Sequence, residues 1–283
     1  MASAQDLRKR IKTVGNTQQI TKAMKMVASA RMRRAQARAE GVGPYADKLG
    51  QIMRRVSGSI VGGNSPLLEV RDIKRTAYIV IGADKGLAGA YSSNLSKYAE
   101  SLMAGQDKDS IEIIASGRKV ADHFASRGYT VSAKFAGYSD KPEFTDARIL
   151  MREATNKFVS GQVDQVIAVY TKFVNSMTQE PEHKQVLPVV EPEGQKEEGA
   201  YFYMPGEEEV LTALLPQYLE STVYNGLLQA AASELGARMT AMTSATDNAS
   251  ELISKLSLEY NKLRQASITN EISEIVGGAN ALQ

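Results

Sequence analysis

Cysteine and tryptophan are absent from the 283 residues, and histidine occurs only twice. Without a thiol there is no disulfide framework, zinc ribbon, iron–sulfur cluster or cysteine nucleophile, and nothing argues for an oxidising compartment. His123 and His183 have neither a second imidazole nor a carboxylate at metal-ligand spacing. No apolar run approaches the roughly 20 residues that cross a bilayer, and no signal-peptide pattern opens the chain. No Ser/His/Asp set with a suggestive local motif is present. The expectation is a chain with no catalytic residues, no cofactor and no metal of its own.

Charge is plentiful but unevenly placed. The formal net charge is +2, from 34 basic and 32 acidic side chains. Residues 1–57 carry 13 Lys/Arg against 3 Asp/Glu, residues 58–207 carry 17 against 20, and residues 208–283 carry 4 against 9. The two ends are electrostatically complementary, so they are suited to pair with each other.

Three textures follow one another. Residues 1–58 are rich in Ala, Met, Arg, Lys and Gln, and read as one long helix. Gly41-Val42-Gly43-Pro44 should kink or break it, with helix resuming at Leu49, Ile52, Met53 and Val56. Residues 59–75 read as a linker. From Thr76 to Val190 short β-branched runs alternate with helical stretches, predicting an α/β domain with a mainly parallel, Rossmann-like sheet. The strands expected are Tyr78–Ile81, Ile111–Ile114, Val163–Tyr170 and an edge strand over Gln185–Val190; the helices expected are 91–104, 117–127 and 145–160. Residues 191–207 form a second linker rich in Pro, Gly and Glu. Residues 208–283 are helical to the end, and residues 237–276 hold neither Gly nor Pro, enough for about 60 Å of unbroken helix.

The C-terminal segment spaces Leu235, Met239, Met242, Thr246, Ala249, Ile253, Leu256, Tyr260 and Leu263 as a coiled-coil seam, then slips by one to Ile268, Ile272, Ile275 and Ala279. The opening helix offers Leu7, Ile11, Val14, Thr21, Ala28, Met32, Ala35 and Ala39 as the matching stripe. The fold expected is therefore an α/β domain plus a long antiparallel coiled coil, in which the chain ends pair as a shaft. Ile20, Met24 and Val27 fall about 100° away from that stripe and make a second apolar patch. Either it packs on the chain's own α/β domain or another protein covers it.

Two rival functions remain open on these residues. The basic side chains Arg8, Lys9, Arg10, Lys12, Lys22, Lys25, Arg31, Arg33, Arg34 and Arg38 could track phosphates as a basic coiled-coil nucleic-acid-binding protein does, although no strict leucine zipper follows them and aromatics for stacking are lacking. Gly82-Ala83-Asp84-Lys85-Gly86-Leu87-Ala88-Gly89 lies between a strand and a helix, where phosphate loops live, and would suit an α/β enzyme with helical arms. It lacks a Gly-Lys-Ser/Thr ending and the glycine spacing of a dinucleotide fingerprint, so a tight turn, with Asp84-Lys85 available for a salt bridge, explains it better.

Residues 7–36, from Leu-Arg-Lys-Arg-Ile-Lys-Thr-Val-Gly-Asn through Ala-Met-Lys-Met-Val-Ala-Ser-Ala-Arg-Met, resemble the opening helix of the gamma subunit of F-type ATP synthases. Tyr260-Asn261-Lys262-Leu263-Arg264-Gln265-Ala266-Ser267-Ile268-Thr269-Asn270-Glu271, through Glu274, Gly278 and Ala279, is similar to that family's closing signature. The turn at Asp84–Gly89 and the segment Ala245–Ala249 are similar as well, so the likeness spans the chain.

The resemblance implies a rotor shaft inside a ring of alternating alpha and beta subunits, with the α/β domain at its base against the membrane ring of c subunits. Nucleotide chemistry would belong to alpha and beta, and the shaft would couple ion flow to changes of conformation in beta. It further implies that Ile20, Met24, Lys25 and Val27 approach the catalytic ring, that Arg264 and Gln265 make polar contacts to it, and that Tyr201, Tyr203, Glu207 and Glu208 face the c ring and the epsilon subunit. No nucleic acid is implied, and membrane association would be indirect. The shaft motif begins six residues after Met1, with no import sequence before it. That favours a bacterial protein on the cytoplasmic face of the plasma membrane.

Overall fold

In the computed structural model, which describes residues 3–59, 65–189, 204 and 206–280, two very long helices bracket an α/β region. Helix α1 spans Ala4–Ser59 and helix α5 spans Glu207–Asn280. Between them come β1 (Thr76–Ile81), α2 (Tyr91–Leu102), β2 (Ile111–Ser116), α3 (Arg118–Ser126), β3 (Thr130–Phe135), α4 (Phe144–Val159), β4 (Gln165–Phe173) and β5 (Gln179–Leu187). The chain divides into two compact units, Met1–Val27 with Met239–Gln283, and Ala28–Arg238.

The first unit is a pair of helices. A capping box opens α1: the Asp6 amide donates to Ser3 Oγ at 3.1 Å while the Ser3 amide donates to Asp6 Oδ2 at 3.2 Å. Thr21 Oγ1 and Thr246 Oγ1 lie 2.8 Å apart, which fixes the register. Counting back along α1 and forward along α5 from that pair sets Gln18 against Ala249, Val14 against Ile253, Ile11 against Leu256, Leu7 against Tyr260 and Ala4 against Leu263. Each of these residues is buried or half-buried, while α5 from Arg264 to Gly277 is exposed at every position. A parallel pair would not stop burying α5 where α1 begins, so the helices run antiparallel. The expected seam therefore holds as far as Leu263. Its continuation at Ile268, Ile272 and Ile275 meets nothing among the described residues.

The second unit is built on a five-stranded sheet in the order β3-β2-β1-β4-β5, parallel except for β5. β1 is buried along its whole length, as the central strand of a sheet covered on both faces must be. Helices α2 and α3 cover one face through Leu95, Ala99, Val120, Ala121 and Phe124. On the other, α4 contributes Leu150, Met151, Ala154 and Phe158, and α5 contributes Leu219, Val223, Leu227 and Ala230. At 20–30 cal/mol per Å² of apolar surface removed from water, side chains the size of Phe158 or Leu150 supply about 1.5–3 kcal/mol each.

Small residues bring α5 onto the sheet. A Cβ on Gly226 would stand 3.3 Å from both Ile81 Cδ1 and Tyr170 Cδ1, and one on Gly236 would meet Gln179 Nε2 and Phe173 Cε2 at 3.3 and 3.4 Å. Ser233 Oγ donates to the Thr171 carbonyl at 3.0 Å, and Tyr91 Oη to the Ala230 carbonyl at 3.2 Å. Farther along, Met53 of α1 packs with Leu211 and Leu215 of α5.

Three expectations are corrected here. The break at Gly41–Pro44 does not occur, because α1 runs through Pro44. Pro44 and Glu40, whose carbonyl loses its intrahelical donor, are both exposed, which leaves that carbonyl's side of the helix open to solvent, while buried Ala39, Leu49 and Met53 hold the helix on either side. The same holds at Pro216 in α5, where Thr212 is exposed and Leu211, Leu215 and Leu219 are buried. The strand β3 went unforeseen, and the edge strand expected at Gln185–Val190 is β5, which starts six residues earlier at Gln179 and pairs antiparallel with β4.

Candidate functional site

The glycine-rich turn after β1 is the first place to look for chemistry, and it is closed upon itself. Asp84, 7% exposed, accepts from the backbone N–H of Arg118 at 3.1 Å, of Gly137 at 2.8 Å and of Ser139 at 3.4 Å. Asp84 thus ties the turn to the start of α3 and to the loop after β3, its carboxylate standing where an anion would have to meet those N–H groups. Gly82 and Gly117 are dictated by space. A Cβ on Gly82 would lie 2.2 Å from Val120 Cγ2, and one on Gly117, at φ +114°, would lie 2.6 Å from the Gly82 carbonyl oxygen. The expected Asp84-Lys85 salt bridge is also corrected: Lys85 Nζ pairs with Asp140 at 2.7 Å, since Asp84 is already committed to backbone.

A doubly wound sheet binds ligands in the crevice beyond the carboxyl ends of its strands, where the strand order reverses. Here that crevice, between β1 and β4, is filled by α5. What remains beside Gly82, Ser116, Ser139, Ala230 and Glu234 is a cavity of about 10 Å³, room for a single water. Among the described residues no group of His, Asp or Glu is placed to hold a metal ion.

The surface that answers to the sequence lies on the paired helices instead. Ile20, Met24 and Val27 are 59%, 38% and 52% exposed, and Met26 beside them is also exposed. Thr21 between them is turned toward α5. Lys25 behaves differently from its neighbours: it is half-buried, in line with Gln18 and Thr21 on the face of α1 that pairs with α5. Arg264 and Gln265 begin the exposed stretch of α5, on the first turn past its last half-buried residue, Leu263. Beyond them Ile268, Ile272, Ile275 and Val276 are all exposed, the last two 72% and 53%. This apolar stripe on the C-terminal end of α5 was legible as a seam but not as a bare one. Only the start of α1 reveals where the seam ends.

Tyr201 and Tyr203 lie outside the described residues. Glu207 and Glu208 are the first two residues of α5. Among the described residues no helix is long and apolar enough to cross a membrane.

Comparison with known proteins covers the chain end to end. A family model described as ATP synthase matches residues 3–282. The chain is 47% identical over 285 residues to the ATP synthase gamma chain of Desulforamulus reducens, and 43% identical over 283 residues to that of Moorella thermoacetica, with all of both chains covered in each case. In fold it is similar to a chain of the Euglena gracilis mitochondrial ATP synthase solved with its OSCP, F1 and c-ring, with a TM-score of 0.72 at 19% identity over 99% of this chain and 94% of that one. A chain of the Tetrahymena thermophila mitochondrial ATP synthase central stalk and c-ring matches with a TM-score of 0.61 at 24% identity, over 80% and 99%.

Proposed function

The chain belongs to the ATP synthase gamma-chain family, and from that premise we propose that its exposed shaft residues Ile20, Met24 and Val27, with Lys25, Arg264 and Gln265, are where it meets the catalytic head. The protein is the rotor shaft of an ATP synthase and is not itself catalytic. Its work is mechanical. An asymmetric shaft biases each surrounding subunit among conformations in proportion to the difference in contact free energy between them.

The observation that carries the assignment of surface is the bare end of α5. Ile268, Ile272, Ile275 and Val276 continue an apolar pattern that has no helix opposite it among the described residues. Apolar stripes of this kind mark protein interfaces. Arg264 and Gln265 border the stripe with a planar charged fork and an amide, groups suited to hydrogen bonds made and broken in turn. The partners are the alpha and beta subunits around the shaft, and the epsilon subunit and c ring at its base, where Tyr201, Tyr203, Glu207 and Glu208 would make contact. In this setting the basic residues of α1 meet acidic protein surface rather than nucleic acid.

The complex is membrane-associated, and the gamma chains of Desulforamulus reducens and Moorella thermoacetica that this chain resembles are bacterial. We place this subunit on the cytoplasmic face of the plasma membrane, held there by its partners. Mass spectrometry of the native complex tests the reading: the chain should appear in single copy with ATP-hydrolysing subunits and a membrane ring. Recovery of the chain free of such partners, with the ATP-hydrolysing complex intact and lacking it, would overturn the assignment.

A further inference from the structure

Within the α/β unit, five ionisable side chains from four parts of the chain converge at the carboxyl end of the sheet. Asp140, in the loop between β3 and α4, accepts from Lys85 Nζ at 2.7 Å and from Arg31 Nη1 of α1 at 2.9 Å, and stands 3.7 Å from Arg238 Nη1 of α5. Arg238 also donates to the Gly86 carbonyl at 3.3 Å and lies against Glu234, one turn earlier on α5. Burial alone would raise the Asp140 carboxyl, but Lys85, Arg238 and Arg31 hold it below the ordinary aspartate range.

Glu234 stands in a harsher place. It is 2% exposed, and neither of its oxygens receives a well-formed hydrogen bond. One side of it forms part of the wall of the small cavity beside Ser116 and Ser139. Arg238, the cation in contact with it, is shared with Asp140 and with the Gly86 carbonyl. A buried carboxylate that must share its contacting cation with a second carboxylate is relieved by taking up a proton.

We propose that Glu234 is a proton-binding site whose occupancy sets how Arg238 clamps α5 to the β1–α2 turn and the β3–α4 loop. With Glu234 ionised, Arg238 is divided between two carboxylates, one on its own helix. With the proton bound, Glu234 is neutral and Arg238 turns wholly to Asp140 and the Gly86 carbonyl, which lie on the α/β body. The groups facing Glu234 are Arg238 from its own helix, Lys85 from the β1–α2 turn, Asp140 from the β3–α4 loop and the Tyr91 phenol from α2, with Arg31 of α1 acting through Asp140. Burial and the Asp140 charge raise the proton affinity, Arg238 and Lys85 lower it, and the balance leaves the carboxyl at about 7 against an ordinary 4.5. That is on the order of 300-fold tighter proton binding than by a free glutamate.

The cluster is internal to the chain, so the full-length protein is the sample. Carbon-13 carboxyl NMR on glutamate-labelled protein should show one group titrating near pH 7, absent from Glu234→Gln, with the Arg238 Nε resonance moving at the same midpoint. Asp140→Asn, which removes a negative neighbour and frees Arg238, should move that midpoint down, and it serves also if Glu234→Gln fails to fold. No glutamate titrating above pH 5.5, a neutral-range titration that survives Glu234→Gln, an unmoved midpoint in Asp140→Asn, or an Arg238 signal indifferent to the titration would each overturn the proposal.

Discussion

Thr21 and Thr246, 225 positions apart in the chain, share a hydrogen bond of 2.8 Å on the seam between the two terminal helices. Each hydroxyl also lies within reach of a carbonyl of its own helix, Gln18 for Thr21 at 3.0 Å and Met242 for Thr246 at 2.7 Å, and because each carries a single proton, one hydroxyl donates across the seam while the other donates to its own helix. The pair is a polar register mark in a stripe that is otherwise mostly apolar. Replacing either by Val leaves the other hydroxyl half-buried with one partner fewer, for a loss of about 0.5–1.5 kcal/mol. The double Val variant should lose less than the sum of the two, since an isosteric apolar pair strands no polar group. A double-mutant cycle in urea measures this, and strict additivity would refute the pairing.

Leu7→Ala and Ile272→Ala should part company. Leu7 is 2% exposed and fills the seam, so its truncation costs about 2–5 kcal/mol in unfolding of the purified chain. Ile272 is 56% exposed in the free chain, and its truncation should leave unfolding within about 0.5 kcal/mol while weakening assembly with the catalytic head. Equal effects on the melting of the free chain would mean that the end of α5 is covered by the chain itself.

Met24→Lys places a charge on the exposed patch of α1. Folding should be mostly unaffected, whereas ion-driven ATP synthesis by the assembled complex should fall relative to hydrolysis. Undiminished synthesis would remove Met24 from the partner-facing surface.

Asp84→Ala removes the acceptor for three backbone N–H groups. Leaving buried donors unpaired costs about 1–3 kcal/mol each at most, with water relieving some of them, so a loss of several kcal/mol in thermal or urea unfolding is expected. Asp84→Asn should be milder because its amide oxygen still accepts. A near-neutral Asp84→Ala would show that the turn is held by its glycines alone.

Acid and alkali should act oppositely on the two carboxylates of the buried cluster. Asp140 is depressed by its cations, so its contribution is complete above the unfolded aspartate value of 3.8 and is lost as pH falls through its lower folded value. Glu234 is raised, so the folded state binds the proton more tightly than the unfolded chain. Stability from this group is greatest below 4.5 and declines as pH rises to about 7. Thermal melts from pH 5 to 8 should show wild type losing stability over that window, and Glu234→Gln losing less of it. A steeper fall in Glu234→Gln would contradict the sign.

Much of this was legible in residues alone, for reasons that differ element by element. β1 and β2 are continuous β-branched runs because both faces of a central parallel strand are covered. The seam through Thr246 and Leu256 is visible because its period is that of a paired helix. β3 was missed because Thr130-Val131-Ser132-Ala133-Lys134-Phe135 is an edge strand, half-exposed at alternate positions, with too little apolar content to stand out from loop. β5 hid behind Gln179-Glu180-Pro181-Glu182, polar residues that only an edge tolerates. Pro44 misled because proline is read locally, while the burial of Met53 that helps override it comes from Leu211 and Leu215 of α5, more than 150 residues away. The ion cluster could not be foreseen at all. Glu234 and Arg238 stand four apart on α5, but Arg31, Lys85 and Asp140 share no spacing with them or with each other, and only the folded sheet assembles the five.

The unaccompanied end of α5 has a practical side. From Arg264 to Gly277 the helix extends about 20 Å with no companion among the described residues, studded with isoleucines. A lone segment that short holds its helicity poorly in water. Manufactured by itself, the subunit would expose a sticky, fraying spike and tend to clump. Cells gain by making it only alongside the sleeve that receives it, and a biochemist wanting soluble material should co-produce that sleeve or trim the spike.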